Sequence, residues 1–537
     1  MPPVLAYIGP GAGIAFAGSF LSLIIGFFLT IGALAAWPFR AAWAILRGKR
    51  GYRNAKIQRL IFLGLDGLDP RLTERFMAEG KLPNLSRLKQ QGLEGTYGTF
   101  TYYTDDPLTP QGPVSGGRIV TVEPRGNRVI LPIEGPANTL RRDRRPAQLD
   151  LITDIDPDAR AMRGRIGDQQ FILRQGEWSP WIHVRFSLIP GLSSMAGMFH
   201  LYARELSPSI RIYRSPLNID PAQPALPISY PSTFSRELSR RVGPYYTQGI
   251  PEDTSALRQG ALTLDEYLAQ SRLTAADDNA LLDESLSHFQ DGLLFFYFSE
   301  IDQDSHMLWS KHEPKLLETY QYIDRAIGRV LAHAAGARII VMSDHGFAAF
   351  DRSVNLNTWL AQEGLRTKAY ALGLNALYIN LTSREKPERD ALLQELIRRL
   401  RELRDPATGQ LMIESVSVVG PSSSKFAPDL IVGYAPRYRA SWETALGEAP
   451  PGIVHQNTDA WIGDHCIAAE AVPGVLLGNR PPRSNTPRLK DITVTILKEF
   501  DVPPDPAMSG TAVYSVAHAL LRAASPLLAT PGSSKDH

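Results

Sequence analysis

Short apolar runs alternate with amphipathic stretches in two parts of the chain. The first run, "LIFLGLDG" (60–67), is followed by a stretch with helical periodicity. From residue 262 the alternation returns, with the runs "GLLFFYFSEID" (292–302), "ARIIVMSDHG" (337–346), "PDLIVGY" (428–434) and "GVLLGN" (474–479). Runs that are apolar on both faces and separated by helices are typical of a parallel sheet covered on both sides. We therefore predict an α/β fold with a mostly parallel sheet and helices on both faces.

The pattern changes in the middle of the chain, where short alternating runs such as "NRVILPI" and "WIHVRFSLI" are separated by glycines and prolines. Strict alternation bounded by turn residues indicates half-buried strands, and predicts a β-rich insertion. The resulting division is an N-terminal anchor with its basic segment (1–56), a first part of the core (57–111), the insertion (112–261), a second part of the core (262–523) and a disordered tail (524–537).

The N-terminal stretch 12–36, "AGIAFAGSFLSLIIGFFLTIGALAA", carries no charge. It is longer than the roughly 20 residues that cross a bilayer, so we expect one transmembrane helix. The competing interpretation is a buried apolar hairpin. Basic residues follow the stretch, namely Arg40, Arg47, Lys49, Arg50, Arg53 and Lys56. The positive-inside bias then places the bulk of the chain in the cytoplasm, with the periplasm as the alternative.

Composition narrows the class of protein. The chain has 537 residues, of which 44% are hydrophobic and 21% charged, which is enough to bury a full core in more than one unit. A net charge of +2 gives no broad basic face, so nucleic-acid binding is not expected. The single cysteine, Cys466, excludes an internal disulfide.

Acids and imidazoles follow the predicted strands. They are Asp66, Asp302 and the pair Asp344–His345. Ligands gather beyond the carboxyl ends of parallel strands, and His306, four residues after Asp302, would share one helical face with it. His465 follows a further loop. Each motif alone is commonly a hydrogen-bonded turn, but together they offer the oxygen and nitrogen ligands of zinc, manganese or iron, and we predict a site for two metal ions.

Four motifs, "GLDGLDP", "DQDSH", "SDHGF" and "GDHC", resemble the successive metal motifs of the alkaline phosphatase superfamily, in its type I phosphodiesterase/nucleotide pyrophosphatase branch. The resemblance covers residues 60 to about 105 and 290–515. It implies that Asp302, His306 and His465 bind one divalent ion, and that Asp66, Asp344 and His345 bind the other. Zinc is the expected metal, and manganese is the alternative.

The same resemblance implies a fold, an activity and a location. The fold would be alkaline phosphatase-like, and the chain a phosphoric ester hydrolase whose substrate is a phosphate ester; a nucleotide is the one nucleic-acid component expected to bind. The likeness is strongest to membrane-anchored bacterial members. It therefore implies a single-pass protein of the bacterial inner membrane, held in the lipid bilayer by residues 12–36.

The nucleophile of that family is missing from its usual place. The family carries a segment of the type Ser/Thr-Pro-x-x-Trp that ends in Thr-Gly, but here "SRLKQQGLEG" leads directly to "TYGTFTYYTDD". Thr109 in "DPLTPQGP" is the nearest candidate, and a surface turn is its competing interpretation. The expected function is a membrane-anchored phosphohydrolase. The alternative is a catalytically impaired metal-binding relative that serves as a binding or scaffolding protein.

Overall fold

The computed structural model describes residues 55, 57–91, 93–97, 119–138, 140–381, 386–420, 426–482 and 486–514. The chain divides into two compact units. The described part of one consists of residues 59–489 and 513–514, without the gaps given above, and the described part of the other is residues 55, 57–58 and 490–512. The predicted span (12–36) and tail (524–537) lie outside the described residues. Among the residues that are described, no helix is long and apolar enough to cross a membrane.

The strands are β1 (Arg59–Leu65), β2 (Leu93–Tyr97), β3 (Arg128–Ala137), β4 (Pro146–Asp156), β5 (Ala161–Ile166), β6 (Gln169–Arg174), β7 (Ile182–Ile189), β8 (Ser193–Phe199), β9 (Leu201–Glu205), β10 (Arg211–Arg214), β11 (Asn218–Ile219), β12 (Gly292–Phe298), β13 (Arg338–Met342), β14 (Ala348–Val354), β15 (Ala369–Ala371), β16 (Ala376–Ile379), β17 (Ile413–Val418), β18 (Leu430–Tyr434), β19 (Arg437–Ala440), β20 (Val454–Gln456), β21 (Gly463–Asp464) and β22 (Gly474–Gly478).

The α-helices are α1 (Pro70–Ala78), α2 (Pro83–Gln91), α3 (Phe234–Val242), α4 (Thr254–Arg258), α5 (Leu264–His288), α6 (Glu300–Leu308), α7 (Glu313–His333), α8 (Leu356–Gln362), α9 (Lys386–Glu402), α10 (Trp442–Ala445) and α11 (Leu489–Glu499). A short 3-10 helix covers Ala469–Ala471.

The central sheet has the strand order β12-β1-β13-β22-β2. Strand β1 runs parallel to β12 and to β13, whereas β22 is antiparallel to both of its neighbours. The predicted α/β class is confirmed, but the prediction of a mostly parallel sheet is wrong, because two of the four pairings are antiparallel. The run "GVLLGN" is apolar on both faces in either orientation, so its pattern carries no information about direction.

One face of the central sheet packs against α1, α2, α5 and α7, as the stripe Tyr320, Ile323 and Ile327 on α7 indicates. On the other face, the edge strand β12 leaves Leu293 47% exposed and Phe295 58% exposed. The prediction of helices on both faces is therefore wrong for this strand. Its apolar run predicts burial on both sides, whereas alternate residues are half exposed.

The middle of the chain is rich in strands, and β7 confirms the strand prediction for "WIHVRFSLI". Strands β3 to β6 form an antiparallel meander, and β7, β8 and β11 form a second small sheet. A core of its own joins them, built from side chains such as Ile133, Leu151 and Phe186. Gly135 lies against Phe186, whose ring would be 2.5 Å from an added Cβ atom, so a larger residue does not fit there.

The run "PDLIVGY" supplies β18, which lies in a separate antiparallel sheet of order β15-β16-β18-β17 rather than in the central sheet. A second core, with Leu396 and Leu400 of α9 and Val432 of β18, covers this sheet. The prediction that every apolar run from residue 262 onward joins one sheet is therefore wrong. Burial makes a strand apolar whichever sheet it joins.

Candidate metal centre

Three neighbouring strands of the central sheet deliver the acids predicted from the sequence. Asp66 directly follows β1 and donates its backbone N–H to the carbonyl of Phe298, 3.1 Å away, at the end of β12. Asp302 lies in the first turn of α6, just after β12, and Asp344 lies two residues after β13. Gly67 allows the first loop to approach α6, because an added Cβ atom would lie 2.9 Å from the Cα of Asp302.

Asp302, His306 and His465 form the first triad, and their ligand-type atoms all lie within 4.8 Å of one another. The Nε2 atoms of both histidines lie 3.5 Å from carboxylate oxygens of Asp302. Nδ1 of His306 donates to the carbonyl of Gly463 at 2.8 Å. This bond fixes the tautomer and leaves Nε2 of His306 with a free lone pair that faces Asp302.

Asp66, Asp344 and His345 form the second triad, again with ligand-type atoms within 4.8 Å of one another. Nε2 of His345 lies 3.3 Å from Oδ1 of Asp66 and 3.7 Å from Oδ2 of Asp344. The two triads adjoin, because the same Nε2 atom is 3.9 Å from Oδ1 of Asp302. The rings of His345 and His465 also stack, with centroids 3.6 Å apart. The structure thus brings together all six side chains predicted from the sequence.

The electrostatics of the centre favour a cation. Burial raises the pKa of Asp66 well above its ordinary value, and the charges of Asp302 and Asp344 raise it further. Burial lowers the pKa of His465 to about 3, so this imidazole is neutral at pH 7 and its lone pair is available. Burial also acts to raise the pKa of Asp302, but its interactions with His306, and to a lesser extent with His465 and His345, outweigh burial and the net shift is downward.

Two carboxylate oxygens in the centre, Oδ1 of Asp66 and Oδ1 of Asp302, are buried without a hydrogen-bond partner among the described residues. A buried acceptor without a partner is costly, and carboxylates so close together repel each other. Divalent cations would satisfy both oxygens. The three aspartates and three histidines of the triads also match the oxygen and nitrogen ligands that zinc and manganese accept, so the residues fit two such ions.

A short loop with Trp461 and Asp464 orients both histidines of the first triad. It carries His465 and contacts His306, which lies on α6. The ring of Trp461 stacks on His306 with centroids 3.7 Å apart, and its Nε1–H donates to Oδ2 of Asp464 at 2.7 Å. Asp464 precedes His465 and is paired with Arg439 at 2.8 Å; these two side chains are only 1% and 2% exposed. The aromatic ring and the buried ion pair therefore orient both imidazoles. Trp461 was missed in the sequence, where a lone tryptophan in a loop carries no such signal.

The hydroxyl that faces the second triad belongs to a tyrosine. The Tyr297 hydroxyl donates to Oδ2 of Asp66. Tyr297 pairs in register with Gly64, and its ring would lie 3.5 Å from a Cβ atom added to this glycine, an ordinary van der Waals distance. Asp66 lies two residues beyond Gly64 and so points to the same face. The apolar run "GLLFFYF" gave no signal for this role, because the contact depends on the register of β1 and β12.

No serine or threonine hydroxyl within the described part of the chain is hydrogen-bonded to the side chains of Asp66, Asp344 or His345. Thr109, the candidate nucleophile, lies outside the described residues. Its role therefore stays a prediction.

Residues 208–448 match the model of the family described as type I phosphodiesterase / nucleotide pyrophosphatase. The matched segment contains Asp302, His306, Asp344 and His345, whereas Asp66 and His465 lie outside it. The resemblance inferred from the four motifs is thus confirmed, and so is the enzyme class expected from it, a phosphoric ester hydrolase.

Two solved structures similar to the chain are of phosphonoacetate hydrolase from Sinorhizobium meliloti 1021, one in complex with phosphonoacetate and one with phosphonoformate. Their sequence identities to the chain are 13% and 12%, and the TM-scores are 0.39 and 0.38. In both cases the similarity covers 83% of this chain and 95% of the other. No curated protein matches the chain.

Proposed function

We propose that the chain is a membrane-anchored phosphohydrolase that cleaves phosphodiesters or phosphomonoesters at the centre formed by the two triads. One observation carries this proposal: six acids and imidazoles from separate parts of the sequence meet at one edge of the sheet, each triad within 4.8 Å. Structural ion pairs do not account for this arrangement, because no lysine or arginine of the described residues is paired with Asp66, Asp302 or Asp344.

Two divalent cations fit the triads, with zinc as the proposed metal and manganese as the alternative. When bound, such ions supply positive charge against the charge that develops on a phosphoryl group and align the attacking and leaving oxygens. The chain itself supplies the imidazoles of His306 and His465, and the loop around Trp461 holds both. Tyr297, which is 44% exposed, donates its hydroxyl to Asp66 and orients that carboxylate.

The proposal is tested by two substitutions on one helix. Asp302 and Asp304 are both buried on α6, but Asp304 faces away from the triads and accepts from Ser271 at 3.2 Å and Thr319 at 2.6 Å. We expect Asp302→Asn to lose metal and to lower hydrolysis of bis(p-nitrophenyl) phosphate by at least about 100-fold. Asp304→Asn is the matched control and keeps both metal and activity. Equal losses in the two variants, or hydrolysis that resists a chelator, would contradict the assignment.

A second function has one observation in its favour, the lack of a serine or threonine hydroxyl bonded to the second triad in the described residues. On this alternative the chain binds metal without turnover and serves as a binding or scaffolding protein. Purified full-length protein that holds two equivalents of metal but hydrolyses neither phosphomonoesters nor phosphodiesters would favour it over the enzyme.

The anchor is part of the proposal and rests on the uncharged stretch 12–36 and the basic residues after it. We expect deletion of residues 1–50 to release the protein into the soluble fraction. Deletion of the tail 524–537 is the control and leaves the protein in membranes. A truncated form that stays in membranes contradicts the anchor. A C-terminal reporter fusion is expected to be active in the cytoplasm, and periplasmic activity reverses the orientation.

A further inference from the structure

The two triads lie where β1, β12 and β13 end. The chain enters the central sheet on the opposite side, where these three strands begin. β1 begins at Arg59, which pairs with Gly292 at the start of β12, and Leu60 pairs with Arg338 at the start of β13. We call this the starting edge. The seven residues of β1 separate it from Asp66 by roughly 23 Å at about 3.3 Å per residue. In the sequence, the basic stretch 40–56 leads directly to Arg59.

A groove of about 700 Å³ lies at the starting edge. It runs between α2 and the last turns of α7, and we call it the arginine groove. Its polar and apolar walls include Asn84, Arg87, Arg325, Arg329, Ile339 and Asn479. Ile339 and Asn479 close it at the sheet, where Oδ1 of Asn479 accepts from the backbone N–H of Ile339 at 2.9 Å.

The arginine groove carries positive charge that the described residues do not neutralise. Arg87 and Arg325 are exposed, and neither is paired with a carboxylate among the described residues. Arg329 is paired with Asp283 at 2.8 Å. The neighbouring Asp324 is buried and accepts from the backbone N–H groups at the start of α2, so its charge is already engaged. Two guanidinium groups without a carboxylate partner in the described part of the chain therefore line the groove, and that of Arg325 lies 6.0 Å from the centre of the Tyr322 ring.

Helices α7 and α2 pack closely beside the arginine groove, and Arg59 covers carbonyls at the end of α7. Gly328 on α7 packs against Asn84 on α2 so closely that an added Cβ atom would lie 2.8 Å from the asparagine side chain. The C-terminal end of a helix carries partial negative charge. Arg59 offsets this charge, because its guanidinium donates at 3.2 Å to the carbonyls of His333 and Ala335 at the end of α7.

We propose that the arginine groove binds the phosphate of an anionic lipid headgroup. Guanidinium groups match phosphate oxygens in geometry and charge. The proposal rests on the membrane anchor proposed above, because the basic stretch after that anchor leads to Arg59, which donates to the carbonyl of Ala335 in the wall of the groove.

The experiment uses the full-length chain in a non-ionic detergent and native mass spectrometry to count bound dioctanoyl phosphatidylglycerol. We expect one bound molecule per chain. The double substitution Arg87→Gln/Arg325→Gln is expected to weaken this binding by about 25-fold, about fivefold for each charge removed near an anionic lipid. The matched control is Arg165→Gln/Arg240→Gln, which removes two exposed arginines elsewhere and leaves binding unchanged.

Several outcomes decide the proposal. Equal binding by the two double variants overturns it, as does dioctanoyl phosphatidylcholine binding as tightly as the anionic lipid. Inorganic phosphate that displaces the lipid at equal concentration would show a site for a soluble anion instead. Hydrolysis of bis(p-nitrophenyl) phosphate by Arg87→Gln/Arg325→Gln is expected to match the parent chain. A parent chain that binds the lipid but hydrolyses no ester refutes the proposed function and leaves the lipid site standing.

Discussion

The Tyr297 hydroxyl on β12 donates a hydrogen bond to Oδ2 of Asp66, at the end of the neighbouring strand β1. The other oxygen of this carboxylate, Oδ1, lies 3.3 Å from Nε2 of His345. Tyr297 thus fixes the carboxylate of Asp66 in the orientation that turns Oδ1 towards His345 of the second triad. Partners that orient a ligand in this way commonly tune metal affinity.

We therefore expect Tyr297→Phe to weaken metal binding at the second triad by about 10- to 100-fold, with the first triad little affected. Isothermal titration of the metal-free protein with zinc measures both sites. The control is Tyr370→Phe, because Tyr370 stacks on Tyr378 in the separate antiparallel sheet. Two unchanged zinc affinities in Tyr297→Phe would show that the phenol does not position Asp66.

The ion pair between Arg439 and Asp464 makes a prediction about stability. Both side chains are almost fully buried, at 2% and 1% exposure. Arg439→Met leaves a buried carboxylate without its cation, so we expect the free energy of unfolding to fall by about 3–5 kcal/mol. Arg437→Met, which removes an exposed pair with Asp351, is expected to cost at most about 1 kcal/mol. Urea unfolding of the metal-free proteins compares the two, and similar losses would contradict a special role for Arg439.

Five of the six residues of the centre carry a local signal, whereas His465 follows a loop and was assigned through the resemblance of "GDHC" to a family motif. An apolar run that ends in an acid marks a strand end, and Asp302 and His306 have helical spacing. The direction of β22 and the sheet of β18 could not be predicted, since burial alone sets their apolar character. The contact between Tyr297 and Asp66 depends on pairing across more than 200 positions of the chain, which the local sequence does not encode.

A buried acid outside the centre predicts a pH dependence of stability. Glu252 is 1% exposed and accepts from the hydroxyl of Ser299. Burial raises its pKa to about 8, and the nearby charges of Asp304 and Asp278 contribute. An acid whose pKa is raised in the folded state binds more protons there than in the unfolded state. Its stability contribution is therefore complete below its unfolded pKa, near 4.3, and is lost as the pH rises to 8.

We expect Glu252→Gln to remove this loss, because an amide keeps the acceptor oxygen without a charge. The unfolding temperature of the variant is expected to fall less between pH 5 and pH 8 than that of the parent chain, by a difference equivalent to a few kcal/mol at most. Glu237→Gln, at an exposed position on α3, is the control and follows the parent chain. Parallel curves for all three proteins would show that Glu252 does not titrate in this range.

The last prediction concerns the missing nucleophile. In the sequence, only residues 92–115 follow Asp66 closely enough to return a hydroxyl to the second triad, and "TYGTFTYYT" alternates as a strand does. The structure places the first part of this segment in β2 (Leu93–Tyr97), paired along its length with β22. A strand points successive side chains to opposite faces. We therefore predict that no serine or threonine oxygen lies within bonding distance of the second triad and that no phosphoenzyme forms.

Rapid mixing with bis(p-nitrophenyl) phosphate tests this prediction, because a covalent intermediate releases one equivalent of p-nitrophenol before steady turnover. We expect slow turnover or none, without a burst, and Thr109→Ala with the same rate as the parent chain. Direct attack by water needs no acceptor side chain, so the rate would then depend on the triads alone. A stoichiometric burst that Thr109→Ala abolishes, or phosphothreonine trapped at position 109 by acid quenching, would prove the prediction wrong and assign the nucleophile to Thr109.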